Sequence, residues 1–191
     1  SPPMTDHFIP PHGGYEKLLS YQKAQIVYDA TAKFCADLLD KRDRTVDQMI
    51  QAARSGKQNI AEGSMASGTS KEMELKLTNV ARASLEELLA DYRDFLRTRG
   101  FDEWPRDHPY ALRLRELSRS PGADYETFRK AVENPDPAIR ANAILGLVKL
   151  TNFLLDRQIR QLEQAFLDEG GLRERMTHAR LAARRRNPPL P

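Results

Sequence analysis

Six arginines follow Gly170: Arg173, Arg175, Arg180, Arg184, Arg185 and Arg186. A guanidinium fork matches two phosphate oxygens at once, and clustered cations gain affinity for a polyanion by releasing its counterions. From residue 171 onward one glutamate stands against those six arginines, a local charge of +5. The whole sequence carries +3, so residues 1–170 sum to −2 and the basic character belongs to the tail. Arg42, Arg44, Arg54, Lys57, Lys71 and Lys76 could extend such a surface, although Asp and Glu are interspersed among them. This chemistry suits nucleic-acid binding through the backbone with a strong salt dependence. No stacking platform, recognition fold or zinc spacing accompanies it to read a sequence.

Catalysis finds less to work with. A di-metal site in a helical protein needs Glu-x-x-His pairs on facing helices. Glu174 and His178 lie four apart with no matching second pair, and read as surface residues. His7, His12 and His108 lie in proline-punctuated segments and read as solvated. Cys35, the only cysteine, sits beside Phe34 and within reach of Leu38, with no activating cation next to it. It reads as a core thiol, and its solitude fits a reducing compartment. Gly63 and Gly68 bracket a stretch before a helix start, a geometry that can cradle phosphate, but the lysine and spacing of a phosphate loop are missing. Gln58, Asn59, Glu62 and Asn79 read as caps and turn closures, with a role in locking helix register as the alternative. No enzyme activity, metal or cofactor is expected.

The elements that must carry these residues are helical. The 191 residues are 30% charged and 7% aromatic, a balance that favours an all-α fold. Residues 1–14, rich in proline and glycine, form an arm. Leu19, Ile26, Ala30, Phe34 and Leu38 mark one face of a first helix over about 15–40. A second helix runs over about 46–62 and stops at Gly63. Thr69 with Glu72 forms a capping box for a third helix reaching about Arg99, with Met73, Leu77, Val80, Ala81, Ser84, Leu88, Tyr92 and Phe95 on its stripe. Prolines break residues 100–137 into short pieces near 109–117 and 124–133. Asp136 then caps a fourth helix that begins with Pro137 and carries Ile144, Leu147, Val148, Thr151, Leu154, Leu155, Leu162 and Phe166. After Gly170-Gly171 a suffix helix covers about 172–186. No apolar run reaches bilayer length and no secretory signal opens the sequence, so a cytoplasmic protein without membrane contact is expected.

The residues Ser55-Gly56-Lys57-Gln58-Asn59-Ile60-Ala61-Glu62-Gly63, then Thr69-Ser70-Lys71-Glu72, then Ala81-Arg82-Ala83-Ser84-Leu85-Glu86-Glu87-Leu88, resemble a bacterial family of four-helix bundle proteins. That family is encoded in intervening sequences of large-subunit ribosomal RNA genes, and it includes the accessory variability determinant of diversity-generating retroelements. The likeness covers about residues 15–100 and resumes in the fourth helix. It implies an antiparallel up-and-down bundle, a homo-oligomer in the form of a pentameric barrel, and work beside a reverse transcriptase and its template RNA. The long third connection and the Gly-Gly-Leu-Arg-Glu-Arg suffix exceed the shortest members and resemble a subgroup with a suffix domain.

The expected organisation is thus an all-α chain. It has a flexible arm over 1–14, a four-helix bundle over 15–168 with an insertion at about 101–136, and a basic suffix helix with a disordered tail over 169–191. The expected function is that of a non-enzymatic, oligomeric nucleic-acid-binding accessory protein, with RNA the first ligand and a reverse transcriptase the implied partner. The alternative is a scaffold whose suffix helix, through Leu172, Met176 and Leu181, mediates protein assembly.

Overall fold

Short polar side chains set where the helices begin. Asp43, Ser70, Asp124 and Asp136 accept hydrogen bonds from the amides of Thr45, Met73, Thr127 and Ala138, at 2.9, 3.0, 3.2 and 2.9 Å. Each satisfies an amide that a first helical turn leaves orphaned. The computed structural model describes residues 14–170 and 172–186, with no strand among the described residues. A 3-10 turn at Tyr15–Lys17 precedes α1 (Leu19–Leu38), α2 (Arg44–Ala66), α3 (Lys71–Thr98), α4 (Pro109–Ser118), α5 (Tyr125–Val132), α6 (Pro137–Glu169) and α7 (Leu172–Arg186). The expected arm and the last five residues lie outside the described residues, apart from Gly14.

Asp136 and Pro137 open α6 as expected, and the broken third connection holds α4 and α5 close to their expected bounds. Two boundaries differ. The cap of α3 is Ser70, while Thr69 turns its hydroxyl back to the Ala66 carbonyl at 3.2 Å. The second helix runs straight through Gly63 to Ala66, because this glycine serves packing and not termination. A Cβ there would lie 3.3 Å from the Glu74 carbonyl oxygen, and at Gly56 it would lie 2.7 Å from Leu85 Cγ. Seven residues apart, the two glycines share one face and let α2 and α3 approach closely. These contacts also set the direction: Gly63 lies opposite Thr78 and Gly56 opposite Leu85, so α2 and α3 run antiparallel.

α1 packs on α2 and α6, and α3 packs on the same two helices. Ser20 donates to Gln158 and Arg140 to Asp37, both at 2.8 Å, so α1 and α6 are antiparallel. Arg82 binds Asp156 while Asn152 donates to Glu86 at 3.1 Å, which makes α3 and α6 antiparallel too. At the centre Phe34 meets Tyr92 and Phe95 edge-on, with centroids 5.1 and 4.8 Å apart. The Tyr92 hydroxyl finds Thr31 at 2.8 Å, which satisfies both buried oxygens.

The stripes need small rotations. Leu19 is 60% exposed, and Met73 and Val80 also face solvent, whereas Leu85, Leu89 and Leu96 are buried. Helix α6 is enclosed on all sides over residues 140–145, since α4 and α5 cover the face that α1 and α3 leave open. Leu114, Phe128 and Val132 are the buried anchors of that cover. Asn142 fixes its start: the side chain accepts from the Trp104 amide at 2.8 Å and donates to the Asp102 carbonyl at 3.0 Å. Enclosure also corrects the expectation about apolar length. An 18-residue window within Pro137–Arg186 has a mean hydropathy of 1.3, long and apolar enough to cross a bilayer, and 61% of it is buried inside the fold.

Gly56→Val should destabilise by roughly 1–3 kcal/mol, because the added atoms drive into Leu85. Gly146→Ala, whose Cβ would meet only Leu114 Cδ1 at 3.8 Å, should stabilise by about 0.5–1 kcal/mol from helix propensity. Urea denaturation of both variants checks the opposite signs. The buried Arg140 guanidinium and Lys33 hold the Asp37 carboxyl below the usual carboxylate range. Asp37→Asn leaves Arg140 without its counter-charge and should cost about 1–3 kcal/mol near neutrality. A depressed carboxyl contributes fully above its unfolded value of about 4 and loses that contribution as the pH falls through its folded value. The stability gap between Asp37→Asn and the wild type should therefore narrow in acid. A gap constant from pH 7 to pH 3 would show that the pairing is not its source.

Candidate nucleic-acid interface

Helix α7 begins where Gly170 takes φ 70°, a left-handed conformation that glycine adopts without strain and that separates α7 from α6. Arg173, Arg180 and Arg184 stand at intervals of seven and four residues, which at 100° per residue places them in one narrow arc. Along the helix they span about 16 Å. Glu174, the acidic residue of α7, lies off that arc. Arg175 and Arg186 occupy the opposite side, and Arg175, half-buried, donates to the Gly170 carbonyl at 3.2 Å. Arg173, Arg180, Arg184, Arg185 and Arg186 are exposed, and none of the described α7 residues is buried.

The other expected residues divide by position. Gln158 opposite Ser20 and Asp37 opposite Arg140 put the C-terminal end of α6 near the N-terminal end of α1. Phe166 of α6 lines the same surface hollow as Glu72, Lys76 and Asn79 of α3, so Lys71 and Lys76 lie at the end from which α7 departs. Arg42 and Arg44 stand at the far end of α2, whose length is about 33 Å. Arg54 and Lys57 lie between, with the Lys57 ammonium 4.6 Å from the Tyr28 ring centroid. The six residues of the earlier helices therefore do not form one patch, and only Lys71 and Lys76 adjoin the suffix. None of the twelve expected residues forms an ion pair among the described residues, whereas Arg82, Arg93, Arg129, Arg140 and Lys149 all do.

The remaining candidates find ordinary roles. No cluster of three or more metal-ligating side chains exists among the described residues, and Glu174 and His178 are both exposed. His7 and His12 lie outside the described residues. His108 corrects its expectation: its Nδ1 accepts from the Tyr110 amide at 3.1 Å as the cap of α4, and its ring stacks on Trp104 at 4.7 Å. Gly63 inside α2 and the buried Gly68 leave no open cradle for phosphate. Asn59 donates to the Ser55 carbonyl and Asn79 to that of Leu75, both at 2.9 Å, so they serve their own helices. Asn79 is exposed and locks no register. Within residues 55–63, Gly56 and Gly63 serve the α2–α3 contact, where Ser55 also meets Ser84 at 2.8 Å.

One feature has no counterpart among the expected site residues. A cavity of about 710 Å³ opens between α1, α4 and α6. Lys23 lines it while only 5% exposed. The signal was a lysine on the apolar face of the first helix, between Leu19 and Ile26, where a charged side chain has no ordinary reason to stand.

No family model, curated protein or solved structure was found to match this chain.

The reactivity of Cys35 can be checked directly. Burial, with Asp43 and Asp91 adding to it, pushes the thiol up to about 11. At pH 8 roughly one molecule in a thousand carries the thiolate. Ellman's reagent should leave the folded protein unlabelled over minutes at pH 8 and label one thiol per chain in denaturant.

Proposed function

We propose that the protein is a non-enzymatic nucleic-acid-binding accessory protein, with RNA the first ligand and α7 the binding element. The supporting observation is the arc of Arg173, Arg180 and Arg184, exposed and free of carboxylate partners among the described residues. Guanidinium groups without internal partners meet phosphate at little cost, while a paired surface would first have to break its own bridges. Lys71 and Lys76 can prolong that contact at the same end of the fold. In this reading α1, α2, α3 and α6 form an antiparallel up-and-down four-helix bundle that serves as platform. The antiparallel contacts of neighbouring helices support that arrangement. The family resemblance adds a cytoplasmic homo-oligomer, a pentamer by likeness, working beside a reverse transcriptase.

A second reading draws on Met176 and Leu181, which are 45% and 48% exposed on the same helix. It makes α7 a protein-docking element of a scaffold whose arginines meet acidic side chains. Light scattering separates the two, because a scaffold assembled through α7 loses mass when residues after Gly170 are removed.

The nucleic-acid reading is tested by titrating a single-stranded RNA of generic sequence over a salt series. With three aligned contacts the slope of log affinity against log salt should be about −2. Truncation after Gly170 should flatten the slope by that amount and leave the helical content of the remainder intact. Arg54→Ala, remote from α7, should change neither. Binding that survives truncation unchanged would remove α7 from the interface.

A further inference from the structure

We propose that the cavity between α1, α4 and α6 is a binding site for a single-chain amphiphile with an anionic head, a long-chain carboxylate being the simplest, with the head held at Lys23. Its volume of about 710 Å³ is that of a site for a small organic ligand. Leu114, Leu145, Leu150, Phe153 and Leu154 supply an apolar lining, and Gly146 leaves room beside them. Around this lining stand Lys23, Arg106, Arg115, Arg119, Lys149 and Arg157, and no Asp or Glu lines the cavity. Lys149 is paired with Glu103 at 3.3 Å, while the other five have no carboxylate partner among the described residues.

Lys23 carries the argument furthest. Its ammonium lies over the Phe128 ring, 5.3 Å from the centroid, and makes no hydrogen bond to the described residues. Burial pulls its ammonium below the ordinary lysine range. A buried cation without a counter-charge is costly, and an anion delivered into the cavity removes that cost.

The neutral polar groups argue for an aliphatic body over a sugar or a nucleoside. Besides Ser120 and Trp104, whose hydroxyl and indole N–H have no partner among the described residues, the neutral polar side chains of the cavity, Gln22, Ser118 and Asn142, already donate to the carbonyls of Glu16, Arg115 and Asp102. A ligand rich in hydroxyls or ring nitrogens would find those donors occupied. An alkyl chain needs none of them. The exposure of Leu19 and Phe153, at 60% and 57%, then has a use, since both line the mouth through which a chain enters. The proposal does not rest on α7, which shares no lining residue with this site.

The test uses the full chain and calorimetric titration with laurate below its micellar range, beside dodecanol as the uncharged chain and dodecyltrimethylammonium as the cationic one. Laurate should bind with one-to-one stoichiometry and raise Tm, dodecanol should bind about tenfold more weakly, and the cation should not bind. Lys23→Met, which puts an apolar side chain of similar length in an apolar place, should lose about tenfold in laurate affinity and keep dodecanol binding unchanged. Gly146→Met, whose side chain grows into the cavity, should abolish binding of both chains while circular dichroism stays that of the wild type. Equal affinity for laurate and dodecanol, many equivalents of laurate bound, or Gly146→Met binding as the wild type does would each overturn the proposal. Flotation with phosphatidylglycerol vesicles distinguishes a bilayer from a free amphiphile. Vesicle binding that Gly146→Met leaves intact, in the absence of laurate binding, would assign the basic rim to a lipid surface and overturn the cavity site.

Discussion

The fold depends on the enclosure of α6. Residues 140–145 are buried without a break, so this helix has no solvent face over nearly two turns. A helix surrounded in that way can satisfy its backbone internally but must find a neighbour for every side chain. α1 and α3 take two sides, and the third falls to α4 and α5. The two polar side chains in this stretch are both paired. Arg140 meets Asp37, and Asn142 meets the backbone at Asp102 and Trp104. The segment between α3 and α6 is therefore an integral wall of the core.

That wall has a functional cost and a functional use. α4 covers α6 incompletely, and the gap beside Gly146 is the cavity that Lys23 faces. A side chain larger than hydrogen at residue 146 would fill part of it. The same enclosure explains why α6 is apolar enough to resemble a membrane span, since burial in protein and burial in lipid demand the same side chains. The contact between α2 and α3 follows a different rule. There Gly56 and Gly63 remove side chains to bring the backbones together.

Helix α7 stands apart from these constraints. Its residues from Arg173 to Arg186 are none of them buried, and its arginines have no carboxylate partner among the described residues. Of the other cations with carboxylate partners, Arg82, Arg93, Arg140 and Lys149 join separate elements, while Lys33, Arg97, Arg113 and Arg129 pair along their own helix. Cations without a carboxylate partner among the described residues stand on α7, on α2 and around the cavity. The free ones on α7 are what the proposed phosphate contact requires.

The sequence by itself determined the helices and most of their ends, because periodicity and caps are local. Asp136 with Pro137 marked the start of α6, the prolines marked α4 and α5, and the Gly170-Gly171 break marked α7. It misread Gly63 as a stop, since one glycine serves equally for a helix end and for a close crossing, and only the presence of α3 decides between them. It placed Leu19, Met73 and Val80 in the core because spacing gives a face without fixing its angle toward the neighbours. Tertiary structure alone decided that Arg42 and Arg44 lie a helix length from Lys71, and that Lys23 turns inward to a cavity. Both facts join residues from separate helices, and no local pattern records the distance between them.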